Sequence, residues 1–208
     1  MVLRLYEIFQ SGGPVMWPLL ACSLLALTVT CERFFYWERI RRRRDRRLMD
    51  ELLRLAVEGA WQEIREKCRN CNDPVIRMLA VGILHRDYDM GKAMEAEAQC
   101  RLTRMSRNMS ILDTMITVSP LLGILGTVLG IIGSFKMLGT GGAADPKLVT
   151  GGIAQALITT AAGLTISIAT VFPYNYFKSR IEHAAHTMEK YATSLELLLA
   201  RPDRREKE

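Results

Sequence analysis

Apolar residues along this chain gather in three blocks, and charged residues occupy the segments between them. The first block, Pro14 to Cys31, carries no charge until Glu32. The second, Thr114 to Phe135, offers 22 uncharged residues, and the third, Leu148 to Phe177, offers 30. A helix needs about 20 apolar residues to cross roughly 30 Å of bilayer hydrocarbon. The second and third blocks meet that length outright. The first reaches it by running on into Phe34, Phe35, Tyr36 and Trp37, an aromatic cluster suited to the headgroup boundary. The pattern predicts an all-α polytopic membrane protein with spanning helices at 14–37, 111–136 and 150–177. Around them lie an N-terminal segment (1–13), a charged helical domain (38–110), a short link (137–149) and a C-terminal helix and tail (178–208).

The charged segments are helical in pattern too. Leu48, Leu52, Leu55 and Ala56 recur at steps of three and four. Asn72-Asp73-Pro74 marks a break, with Asp73 as a helix cap and Pro74 in the first turn. A helix through Ile76, Leu79, Ala80, Ile83 and Leu84 follows. Another starts near Asp89 and runs through Met94, Ala98, Leu102, Met105 and Met109 without interruption into the second block. The tail repeats the stripe at Ile181, Ala184, Ala185, Met188, Tyr191, Ala192, Leu195, Leu198 and Leu199, and frays at Pro202. Such stripes need partners, and each other is the simplest choice: long helices leaving the membrane and packing as a bundle.

Charge sets the expected orientation. Of 28 Lys and Arg, seventeen lie between Arg39 and Arg107 and seven follow Phe177, whereas the N-terminal segment holds only Arg4 and the link only Lys147. Basic residues stay on the cytoplasmic side during insertion. The N-terminus is therefore expected outside and the C-terminus in the cytoplasm of a bacterial inner membrane. Arg4 is offset by Glu7 and no small-residue cleavage site precedes a plausible start, so a signal peptide is not expected. The run Arg41 to Arg47 beside a span serves topology and anionic headgroups, which removes the nucleic-acid reading of the +6 net charge. Cys68 and Cys71 form a lone CxxC without the further ligands that tetrahedral zinc needs. Neither metal nor cofactor is expected.

The second and third blocks carry polar and small residues at helical spacing. Ser119, Gly123, Gly126, Thr127, Gly130 and Ser134 fall on one face of the second span. Small residues let helix backbones approach in lipid, and the stripe suits a passage wall as well as a packing seam. On the third span Gln155, Thr159, Ala162, Gly163, Ile166 and Thr170 share a face, with Thr160 and Ser167 at its border. Polar side chains in hydrocarbon are costly unless buried among helices or facing water. A single three-helix chain has little interior of its own, so an oligomer around an axis lined by these two spans is expected. Neither block contains Asp, Glu, Lys, Arg or His; Asp113 and Lys136 only mark the ends of the second. A titratable group for proton passage then has to come from another chain.

Two segments carry a resemblance: Ser119-Pro-Leu-Leu-Gly-Ile-Leu-Gly-Thr127-Val-Leu-Gly-Ile, and Gly152-Ile-Ala-Gln155-Ala-Leu-Ile-Thr159-Thr160-Ala-Ala-Gly-Leu, followed by Pro173-Tyr-Asn-Tyr. On these residues, the order of spans and the long charged loop, the chain resembles the MotA/TolQ/ExbB proton-channel family, nearest its three-span ExbB/TolQ branch. The resemblance implies a pentamer whose second and third spans enclose single-span ExbD/TolR-like partners that supply a membrane Asp. It further implies work delivered through a TonB- or TolA-like protein. By motif position, Thr127 and Thr160 match the threonines lining the family's proton path, with Gln155 and Thr159 beside them. ExbB and TolQ carry Glu where this chain has Gln155; the amide keeps shape and hydrogen bonding and lacks the charge.

The functions to separate are a motor subunit driven by proton or sodium flow and a non-conducting scaffold. Coupling to TonB-type uptake, Tol-type envelope maintenance or surface motility stays open within the first. A membrane enzyme has no support: no nucleophile–base set or metal cluster converges in the sequence.

Overall fold

The computed structural model describes residues 9, 11–42, 46–69, 71, 73–86, 88–140 and 146–199. Among them are seven helices and no strand: α1 (Met16–Arg42), α2 (Arg46–Glu58), α3 (Trp61–Arg69), α4 (Pro74–Leu84), α5 (Met90–Met105), α6 (Met109–Thr140) and α7 (Pro146–Leu199). Three stretches are long and apolar enough to cross a membrane: Met16–Arg42, Met109–Lys136 and Thr150–Leu199. The chain is an all-α polytopic membrane protein. The expectations for Arg4 and Glu7, for Arg43 to Asp45, for Asn72 and for the tail from Pro202 lie outside the described residues.

Two compact units divide the chain: Met1–Arg33 with Asn108–Tyr176, and Phe34–Arg107 with Phe177–Glu208. The first holds α6 together with α1 up to Arg33 and α7 up to Tyr176. Its core near the start of α1 is Val15, Met16 and Leu19, packed against Phe9, Leu122, Ala162 and Ile166. Gly13, at φ +73°, turns the chain into α1, and the Met16 N–H donates to its carbonyl across 3.1 Å. Only a residue without Cβ adopts that conformation at low cost. Leu24, Leu27, Leu121, Ile124, Leu157, Ile168 and Phe172 stay exposed on this unit, as apolar residues facing lipid or further subunits do.

One sequence expectation fails at the start of α6. The apolar period running from Met94 to Leu112 predicted one uninterrupted helix, but α5 stops at Met105, Ser106 caps it, and Asn108 sits at φ +60°. Asn is among the few residues that tolerate the left-handed region, because its amide can bond locally. Here its Nδ2 donates to Glu32 Oε2 across 2.7 Å.

The second unit packs α2–α5 with the end of α1 and the tail of α7. Gly59, at φ +72°, stops α2, a break the leucine period of that segment did not signal. The predicted cap at Asp73 is present: its Oδ1 accepts from the N–H groups of Val75 (2.8 Å) and Ile76 (3.4 Å), with Pro74 in the first turn. Asp89 caps α5 in the same way through the Lys92 N–H, at 3.0 Å. Met94 fills the space that a side chain at Gly82 would need, which brings α4 and α5 together. The tail stripe buries Met188 and Leu195 in this unit, and the Tyr191 hydroxyl donates to Asp50 Oδ1 across 3.0 Å.

Candidate functional site: the seam of α6 and α7

Within the first unit, α6 and α7 run antiparallel with their small residues facing each other. An added Cβ at Gly123 would lie 3.0 Å from Thr160 Cα, at Gly126 2.8 Å from Thr159 Cβ, and at Gly130 2.9 Å from Ala156 Cβ. Gly163 closes onto the Ser119 carbonyl and Gly152 onto the Ser134 hydroxyl. As the α6 numbers rise from 119 to 134, their partners on α7 fall from 163 to 152. The stripe is thus a close backbone seam, and small residues are what such an approach requires.

Hydroxyls tie the seam. Thr160 Oγ1 donates to the Gly123 carbonyl across 2.8 Å, and Ser167 Oγ to the Ile116 carbonyl across 2.7 Å. Thr159 Oγ1 is shared between the carbonyl of Gln155 (2.8 Å), one turn back on its own helix, and that of Gly12 (3.1 Å). Thr170 and Ser134 bond carbonyls one turn back on their own helices, at 2.7 and 3.0 Å. Ser119, Ser134, Thr159, Ser167 and Thr170 are all buried. This corrects the premise that one chain lacks an interior for them: the seam itself is that interior, and backbone carbonyls supply the partners. Ser119 differs, being fully buried with no partner for its hydroxyl among the described residues.

Of the six small or hydroxyl residues predicted to share a face on the second span, Thr127 alone stands apart from the seam. It is half-buried, and its hydroxyl donates to the Ile124 carbonyl of its own helix at 2.6 Å. Gln155 is half-buried, with its amide occupying the space that a Gly13 side chain would need. The Gly12–Gly13 turn is therefore part of the site, and sequence reasoning missed it. Its signal was available in the paired glycines before a proline, Gly12-Gly13-Pro14.

Outside the spans, burial and the neighbouring Cys71 push the Cys68 thiol up to about 11. It stays protonated at neutral pH, a poor state for metal ligation or nucleophilic attack. No group of three or more His, Cys, Asp or Glu able to hold a metal occurs among the described residues.

Three apolar helices, two of them joined by a glycine–threonine seam without any charge, define a polytopic helical membrane protein. The chain belongs to the MotA/TolQ/ExbB proton channel family, whose pattern matches residues 70–190. It is 34% identical over 197 residues to the biopolymer transport protein ExbB-like 3 of Synechocystis sp., covering 92% of this chain and 93% of that one. An ExbB homologue of Methanothermobacter thermautotrophicus is 29% identical over 187 residues, 88% of this chain and 66% of its own. The Tol-Pal system protein TolQ of Pseudomonas aeruginosa is 34% identical over 112 residues, 54% and 48% of the two chains. The family is one of channels and transport components rather than of enzymes.

Proposed function

We propose that this chain is the scaffold subunit of an ion-driven motor in the bacterial inner membrane, coupling proton-motive force to biopolymer transport or envelope work. The observation that carries this reading is a polar track without an acid. Gln155, Thr159 and Thr160 line one side of α7, and neither apolar block of α6 or α7 contains Asp, Glu, Lys, Arg or His. Amide and hydroxyl groups order water or solvate an ion, but they do not titrate, so a proton step calls for a carboxylate from elsewhere. A single-span ExbD/TolR-like partner carrying a membrane Asp fits that need, with a TonB- or TolA-like protein receiving the work. Five copies around the partner, N-terminus outside and C-terminus inside, is the arrangement we expect; the names of the ExbB and TolQ relatives support the transport role.

The test is ion flux in liposomes, with this chain alone and co-purified with its single-span partner. Proton or sodium flux that needs the partner, and is lost when the partner's membrane Asp becomes Asn, supports the motor and identifies the ion. Gln155 favours one alternative, a scaffold that anchors partners without conducting. A stable complex that passes neither ion would establish that alternative.

A further inference from the structure

In the second unit, the end of α1, the start of α4 and the tail of α7 enclose a cavity of about 260 Å³. Trp37, Arg41, Asp73, Arg180, His183 and Thr187 supply its polar lining. Trp37 is 7% exposed, and its indole N–H has no hydrogen-bond acceptor among the described residues. The Arg180 guanidinium lies over its ring, 5.8 Å from the centroid. Asp73 is the carboxylate among the described lining residues, and its Oδ1 accepts from the Val75 and Ile76 N–H groups. Among the described lining residues two guanidinium groups stand beside one carboxylate, which favours an anion there.

Its level along the spans matters. With the first span carried through its aromatic cluster to Trp37, Arg41 follows its end by four positions, and Arg180 follows Phe177 at the end of the third by three. At a helical rise of roughly 1.5 Å per residue, both arginines stand about 4–6 Å beyond the hydrocarbon edge, in the headgroup layer. Guanidinium groups recognise phosphate oxygens through paired hydrogen bonds, and an indole N–H at this depth is a further donor.

We propose that this cavity binds the phosphate of an anionic phospholipid headgroup. Arg41 and Arg180 provide the charge, and the Trp37 Nε1–H donates to a phosphate oxygen. A zwitterionic headgroup brings an ammonium group into the same positive field and is disfavoured. This site is separate from the polar track of α6 and α7 and does not depend on ion conduction.

The experiment is native mass spectrometry of the full chain in its native assembly, stripped of lipid and titrated with phosphatidylglycerol, phosphatidylcholine or inorganic phosphate. Phosphatidylglycerol is expected to be retained at least about fivefold more tightly than phosphatidylcholine, with a loss of about fivefold on Arg41→Gln or Arg180→Gln. Trp37→Phe, which keeps the ring under Arg180 and removes the N–H, is expected to weaken retention by a smaller factor. Arg41 is exposed, so Arg41→Gln reports on binding even where Arg180→Gln disturbs folding. Inorganic phosphate bound with the same arginine dependence, in place of the lipid, assigns the phosphate site to a free anion. Equal retention of the two lipids, or phosphatidylglycerol binding unchanged in Arg41→Gln, overturns the proposal.

Discussion

The hydroxyl of Thr160 donates to the carbonyl of Gly123 across 2.8 Å, at the point where an added Cβ on Gly123 would lie 3.0 Å from Thr160 Cα. The close approach and the hydrogen bond depend on each other: glycine permits the distance, and threonine secures it. A residue whose motif position implies a proton path is also a clasp between two helices.

Thr160→Val and Thr160→Ser separate those roles. Valine keeps the volume and removes the interhelical bond to the Gly123 carbonyl, at a cost of about 1 kcal/mol. Serine retains the bond. The thermal midpoint of the assembly is expected to fall for valine and hold for serine. Coupled flux is expected to drop in Thr160→Val and in Thr127→Val, whose hydroxyl bonds only its own helix. Wild-type flux in both valine variants excludes these threonines from the ion path.

Glycines on α6 are not equivalent. Gly126→Ala drives a Cβ to 2.8 Å from the buried Thr159 Cβ and is expected to cost about 1–3 kcal/mol through overpacking. Gly133→Ala meets nothing within 4 Å and is expected to be neutral or stabilising by up to about 1 kcal/mol. Melting curves of the two purified variants check the contrast, and equal losses would remove the seam as the explanation.

Gly13→Ala places a methyl on the Gln155 amide and strains a φ of +73°. About 1–2 kcal/mol from the backbone alone is expected, with the steric clash added to it. Gln155→Glu changes little in shape and is expected to assemble normally, with any effect confined to flux. Size-exclusion profiles followed by liposome assays distinguish a structural from a conductive consequence.

Cys68, its thiol raised to about 11 by burial and by Cys71, is neutral at pH 8. Reactive thiolate appears only as pH approaches that value, so its alkylation rate is expected to rise roughly tenfold per unit from pH 8 to 10. Iodoacetamide labelling read by peptide mass spectrometry tests this. At pH 8 the exposed Cys100 is expected to label well ahead of it.

Asp73→Ala removes the acceptor for two N–H groups at the start of α4 and is expected to cost about 1–2 kcal/mol. Asp73→Asn keeps the acceptor oxygen and is expected to recover most of that loss in the same melting assay.

Much of this architecture is legible in the order of residues. Three apolar blocks, the first completed by its aromatic run-on, reach a bilayer crossing and predict three helices, because no other open structure satisfies backbone groups in hydrocarbon. Asp73-Pro74 predicts a helix start, since a carboxylate and a ring without N–H suit the unpaired donors there. The periodic glycines and threonines of α6 and α7 announce a polar, close-packed face. Single-residue interruptions are less legible. The left-handed Asn108 breaks a helix whose apolar period continues past it, and Gly59 ends α2 just after a leucine period that does not mark the stop; period carries no information on one φ angle.

What the sequence by itself determined is the composition of each face: which helices can lie in lipid, and that two of them carry a polar stripe free of acids. Tertiary structure alone decided the use of that stripe. Whether a glycine–threonine face lines a passage or seals a joint depends on what stands opposite, which one-dimensional spacing does not contain. Opposite Gly123, Gly126 and Gly130 stand Thr160, Thr159 and Ala156 of the same chain, while Thr127 is left off the joint. The reason is geometric: antiparallel packing pairs positions by their sum rather than their separation, and that sum is set only when the helices meet.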